Sequence, residues 1–303
     1  MKKGAALAAV VGILLGVWAF WFYSRPYDAA RLVQCLPAER SLHVYMNVGL
    51  LRSANILELL AGSQGAEELE YKKFVEQTGF DYRKDLDAVA AGFRDGDEYF
   101  AAQGRFNWNK LADYSRSHQG SCQDRQCSMP ANQPGKTISF TLLRNDVLAL
   151  AVAKDAQAVR VIFPGFWKEP PKIPTAAVWI SAPPYIFADA KNLPAGMGPF
   201  RSQLEKARNT VFTLGPAPDQ KAFELKMQVE CTAADDATKM AAQFSSVTEL
   251  FKKMLERDKL HPVPADISSV LVAGRFEAQQ DKVTGTWPID RKFIEALVLG
   301  RVE

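Results

Sequence analysis

Phe223, Leu225, Met227, Val229 and Cys231 alternate with Glu224, Lys226, Gln228 and Glu230, a period of two that predicts a strand with one buried and one wet face. Beyond it, Thr232 and Asp235 read as a capping box opening a long helix. Met240, Phe244, Val247, Phe251 and Met254 then recur at steps of three and four, one apolar stripe facing a core. Further strands are expected over 177–181, 210–214, 270–276 and 283–287, and a helix over 198–208. Asp290 is placed to cap a last helix.

The earlier part of the chain reads in similar order. Leu42, Val44, Met46 and Val48 alternate with His43, Tyr45 and Asn47, so these last three are the candidate exposed sheet face. Helical segments are expected over 51–60 and 67–77, then a strand over 99–106. Asn107 should cap a helix to about Ser117. Ile138, Phe140 and Leu142 lead to Asn145-Asp146, a two-residue hairpin turn, and to a buried return strand over 147–152. Asp155 should cap a helix ending at Pro164. Between the two parts, residues 164–174 hold four prolines in eleven positions, which can continue neither a helix nor a central strand. This linker separates residues 31–163 from 175–303. Both parts run from strand and helix to two strands and a helix, and both contain the triplet Gly-Arg-Phe, at 104–106 and 274–276. Duplication is the expectation.

Residues 4–23 form a run of twenty apolar residues without a charge, directly behind Lys2 and Lys3. As a helix such a run spans about 30 Å, the thickness of a bilayer core. The lysines should hold the three-residue tail in the cytoplasm, with Trp18, Trp21 and Tyr23 at the opposite headgroup layer. The alternative is a signal peptide cleaved after Ala19. Either way the remainder is exported. The expected location is therefore the bacterial cytoplasmic membrane, single-pass and N-in, with the C-terminal region periplasmic and residues 4–23 in contact with lipid.

Apolar content of 48% and charged content of 23% are those of a chain that buries a core. The formal charge is +3, or +1 once Lys2 and Lys3 are set aside. No basic block exists of the kind that phosphate backbones require, so nucleic acid is not an expected partner.

Four cysteines suit an oxidising compartment. Cys122 and Cys127 share a polar loop and are the disulfide candidates; the pairing of Cys35 and Cys231 stays open. His118 with Cys122 and Cys127 supplies three possible zinc ligands without an obvious fourth, so no metal is assigned. The other histidines, His43 and His261, join no catalytic motif. The acidic pairs Asp85/Asp87 and Asp235/Asp236 have no identifiable partner for acid–base work. No catalytic residue and no cofactor are nominated.

The stretch from Phe74 to Asp81, then Lys84 to Asp87, followed by Gly104-Arg105-Phe106, resembles a pattern in uncharacterised bacterial membrane-anchored or exported α+β proteins. The resemblance implies a similar address and architecture and carries over no catalytic residue. The expected protein is α+β: an N-terminal transmembrane helix, then two similar domains, each a largely antiparallel sheet with helices on one face. Its expected role is a non-enzymatic binding or structural component of the cell envelope, with an envelope protein or ligand as partner. The alternative is a hydrolase-like extracytoplasmic enzyme with its site in the interdomain groove.

Overall fold

The computed structural model describes residues 27–57, 69–163, 169–188, 200–217 and 223–298. The expected membrane span, residues 4–23, lies outside these, as do parts of the helices expected over 51–60 and 198–208 and of the proline-rich linker. Among the described residues no helix is long and apolar enough to cross a membrane.

The strands are β1 (Leu42–Met46), β2 (Leu86–Arg94), β3 (Asp97–Gly104), β4 (Ser121–Gln123), β5 (Gln126–Pro130), β6 (Thr137–Arg144), β7 (Val147–Ala153), β8 (Val178–Ala182), β9 (Asn209–Pro216), β10 (Phe223–Glu230), β11 (Arg275–Gln279) and β12 (Lys282–Ile289). They form one 12-stranded sheet in the order β11-β12-β10-β9-β8-β1-β2-β3-β7-β6-β5-β4. Every pairing is antiparallel. The expectation of one sheet per half is thus corrected. β1 pairs with β8, and the two halves share a single sheet.

On either side of that seam the connectivity is the same. Strands β1-β2-β3-β7-β6 on one side and β8-β9-β10-β12-β11 on the other each run first, second, third, fifth, fourth in chain order. The β4–β5 hairpin extends the first side alone. The Gly-Arg-Phe triplets do not mark matching places: Gly104 ends β3, the third strand of its half, whereas Arg275 begins β11, the fourth of its own. The similarity lies in topology, not in that triplet.

Helices α1 (Ala29–Gln34), α2 (Val48–Ser53), α3 (Leu69–Thr78), α4 (Tyr82–Asp85), α5 (Trp108–Ser117), α6 (Arg201–Leu204), α7 (Ala234–Arg257), α8 (Ile267–Ala273) and α9 (Arg291–Val298) cover the sheet unequally. On one face, Leu111 and Ala112 of α5 pack on Phe140 and Cys127, and Met240 and Phe244 of α7 pack on Met227, Val229 and Val283. The opposite face of the first half is paved with Ala88, Ala90, Ala101, Ala149, Ala151 and Ala153, all buried. These short side chains let Leu32 and Val33 of α1, and the 3-10 turn Ala158–Val161, sit close against the strands. Helical cover in the first half is therefore two-sided, not one-sided as expected.

One strand was not anticipated, and two local expectations are revised. β2 carries the near-uniform run Ala88-Val89-Ala90-Ala91-Gly92, which has no polar alternation to announce a strand. Residues 267–273 form helix α8, not the start of a strand, because the Asp266 carboxylate accepts from the Ser268 amide at 2.9 Å and Val270 packs into the core beneath α7. Tertiary contact there overrides the strand preference of Ile267, Val270 and Val272. Thr232 does not cap α7, which starts behind Ala233 without a side-chain cap; its hydroxyl instead donates to Asp236 Oδ2 at 2.5 Å.

The stripe on α7 also fades along its length. Met240 and Phe244 are buried, Phe251 is half-buried and Met254 is 42% exposed. A helix of 24 residues is about 36 Å long, whereas a strand of 8 covers only about 26 Å, so the last turns overhang the sheet. Phe244, with its ring centroid 5.1 Å from Phe200 and 5.2 Å from Phe276, holds the central place. Phe244→Ala should cost about 3–5 kcal/mol and Phe251→Ala roughly 1–2 kcal/mol. Urea denaturation of the two variants checks this, and equal midpoints would place α7 wrongly.

Candidate functional site

Antiparallel register puts residues that face each other across neighbouring strands on the same side of the sheet. One such row is His43–Ser181–Val211–Gln228–Thr284, and the next is Tyr45–Trp179–Thr213–Lys226–Thr286. Both rows start on the seam strand β1 beside the alanine-paved core. Both continue over β8, β9, β10 and β12 on a face where, among the described residues, only Val33 of α1 reaches the edge and no helix packs over β9, β10 and β12. Against this polar surface lies Pro171-Lys172-Ile173-Pro174, the described end of the linker. Between strap and sheet is a groove of about 500 Å³, lined by Trp179, Ser181, Asn209, Thr213, Lys226 and Gln228 among others.

The groove is mixed in character. Trp179, Val211 and Ile173 give it apolar wall, while Lys172, Lys226 and Lys282 outnumber Glu230 among its charged residues. Two of those lysines have carboxylate neighbours: Lys226 Nζ lies 2.7 Å from Glu224, and Lys282 Nζ lies 3.5 Å from Glu230. Asn209 Nδ2 donates to Ser181 Oγ at 3.1 Å. Trp179 is 2% exposed, and its indole N–H has no hydrogen-bond partner among the described residues.

The nominated face His43, Tyr45 and Asn47 is not an open face. His43 is half-buried at the groove edge, and its Nε2–H donates to the Pro37 carbonyl at 2.9 Å, leaving Nδ1 as the acceptor. Burial holds its pKa below the ordinary histidine value, partly opposed by that backbone bond. Tyr45 is 5% exposed and stacks on Trp179 with centroids 5.8 Å apart, because α1 packs over this part of the sheet. Asn47 lies past the strand end and caps α2, its Oδ1 accepting from the Leu50 amide at 2.8 Å. The uncovered face belongs instead to Lys226, Gln228 and their cross-strand neighbours in the second half. Its clue in sequence was the same alternation, on the longer strand.

The other nominated groups have local roles. Cys122 and Cys127 face each other across the β4–β5 hairpin and are joined by a disulfide. His118 stands apart from them, stacked on Tyr114 with its Nδ1 2.9 Å from the Tyr114 carbonyl oxygen. No group of residues that could hold a metal occurs among those described. Cys35 and Cys231 are free and buried, and burial pushes the Cys35 thiol up to about 12, far from thiolate chemistry at neutral pH. His261 is exposed on a loop. Asp85 accepts from the Asp81 amide at 2.9 Å and from Arg105 Nε at 3.1 Å, and Asp235 holds Lys239 at 2.6 Å.

The pattern that resembles exported proteins has a physical explanation in these contacts. Gly79 ends α3 at φ +72°, its amide donating to the Val75 carbonyl at 2.8 Å. At Gly104 any Cβ would collide with the Asp85 carbonyl oxygen. Arg105 then ties the end of β3 to α4 through Lys84 and Asp85. The motif is a clasp. A shallower pocket of about 640 Å³ lies beside it, with Phe80, Phe106 and Trp108 on its walls.

No family model matches the chain, and no curated protein does. Among solved structures, crystal form I of TP0453 is 7% identical, with a TM-score of 0.48, covering 90% of this chain and 98% of that one. Crystal form III is 10% identical, with a TM-score of 0.44, covering 90% and 99%. At that level the likeness carries no inference about activity.

Because burial lowers the His43 pKa in the folded state, the unfolded chain binds its proton more readily. The neutral ring's contribution to stability should be complete above pH about 6.5 and be lost as pH falls below it toward the depressed folded value. Denaturation midpoints measured from pH 7 to pH 5 should therefore fall less steeply for His43→Gln than for the parent. Parallel curves would contradict the assignment.

Proposed function

We propose that this protein is a membrane-anchored binding component on the extracytoplasmic side of the bacterial cell envelope, and that the groove between strap and sheet is its ligand site. The sequence supports the address: an uncharged apolar run long enough to span a bilayer, behind two lysines. The observation that carries the site is the uncovered polar face of β8, β9, β10 and β12, bounded on one side by Pro171–Pro174. A concave surface with apolar wall and a few placed polar groups is the usual form of a small-molecule site.

Binding is favoured over catalysis by what fails to converge. Of the three histidines and two acidic pairs, His43 alone reaches the groove, and its Nε2–H is already given to a backbone carbonyl. The matching strand order of the two halves supports their origin by duplication. In the first half that face is filled with alanine and a helix, and in the second it carries polar side chains.

Full-length protein extracted from membranes with its anchor intact tests this reading by native mass spectrometry. The parent should carry a small molecule of defined mass. Thr213→Trp, which projects an indole into the groove, should lose it while keeping the same thermal midpoint within a few degrees. Equal retention by both proteins would place the ligand elsewhere.

A further inference from the structure

We infer that a second site, separate from the groove, takes a neutral sugar in the pocket of about 640 Å³ beside the clasp, with one pyranose ring laid on its aromatic wall. The pocket lies in the first half, where the end of β3 meets the start of α5 and the β6–β7 turn. Convergence is the first part of the argument. Gly79-Phe80, Asp85 and Gly104-Arg105-Phe106 come from three separate stretches of chain, and all of them line this pocket. The clasp accounts for the glycines, for Asp85 and for Arg105. It does not account for Phe80, for Phe106 or for the Asn107-Trp108-Asn109 run that follows.

The rings give the second part. Phe80 and Phe106 stack with centroids 5.1 Å apart, and Trp108 packs edge-to-face on Phe140 at 5.8 Å. Phe80, Phe106 and Trp108 all stay half-buried on the pocket wall, so apolar surface is left open there. A sugar ring presents a patch of C–H groups on one face and hydroxyls around its rim. Those positively polarised C–H groups suit the negative face of an aromatic ring.

Charge and hydrogen bonding supply the third part. Every charged residue in the lining already has its counter-charge. Asp85 accepts from Arg105 Nε at 3.1 Å, and Asp146 accepts from two nitrogens of Arg144. The lining therefore holds no spare charge for an ion. What it leaves free is carboxamide. Asn109 and Asn145 are exposed, and their side chains have no hydrogen-bond partner among the described residues. Asn107 uses only its oxygen, on the Lys110 amide at 3.2 Å. A carboxamide both donates and accepts, as a hydroxyl does, so it pairs with hydroxyls without selecting a charge. A purely apolar side chain would leave these asparagines unused.

Full-length protein in lipid nanodiscs, labelled with 15N at the tryptophan indoles, allows a direct test with triacetylchitotriose, cellotriose and maltotriose. Trp108→Phe assigns the Trp108 resonance. At least one of these neutral trisaccharides should shift that resonance saturably, and magnetisation should pass from the protein to its ring C–H protons. The double change Asn109→Ala and Asn145→Ala alters two exposed side chains. It should weaken that sugar about tenfold or more while keeping the thermal midpoint within a few degrees. Thr213→Trp, placed in the groove, should bind the sugar as the parent does. If no trisaccharide shifts the resonance, or if the asparagine variant binds as tightly as the parent, the inference is wrong. N-acetylphenylalaninamide shifting the resonance when the sugars do not would make the pocket a dock for apolar side chains instead. Loss of sugar binding in Thr213→Trp would move the sugar to the groove and remove the second site.

Discussion

The pairing of β1 with β8 is the contact on which the rest of the structure depends. His43, Val44, Tyr45 and Met46 lie opposite Ser181, Ile180, Trp179 and Val178. Without that ladder each half would present an open strand edge at its centre, with unpaired amides and carbonyls inviting any other chain. With it, the seven strands of the first half and the five of the second become one sheet, and the first strand of each half is interior. Tyr45 and Trp179 stack across the seam on the face that α1 partly covers.

What differs between the halves is how that common face is used. In the first half alanines bring α1 and a 3-10 turn close, and the face becomes core. In the second half threonine, lysine and glutamine occupy the same rows, and their solvation keeps helices away. The boundary between dry and wet surface falls at Trp179, buried on its Tyr45 side and lining the groove on the other. The groove thus follows from asymmetry laid over matching topology.

Much of this was legible in the chain. The faultless alternation over Phe223–Cys231 gave β10 and its wet face; Asn107 gave the start of α5, whose amide at Lys110 donates to its side chain at 3.2 Å; and Asn145-Asp146 gave the β6–β7 turn. The Cys122–Cys127 pairing was legible from their place in one polar loop of a chain whose four cysteines suit an oxidising compartment. β2 was not, because alanine serves as a core residue there without a polar partner to set the period. Nor was α8, whose branched residues read as strand until Asp266 and α7 are in place. Tyr45 misled because alternation reports two faces without saying which elements cover each. The single sheet was hidden for a related reason: a proline-rich linker marks where the chain leaves one half, and says nothing of whether β8 then returns to β1.

The seam makes the central claim open to one direct measurement, amide hydrogen exchange on the full-length protein. If β1 and β8 are interior strands of one sheet, the amides that bridge them within 43–46 and 178–182 should exchange as slowly as those of β3 and β7. Exchange at those positions as fast as at the sheet edges β4 and β11 would mean that the halves are separate sheets, and the groove would lose the edge that Val33 and His43 give it.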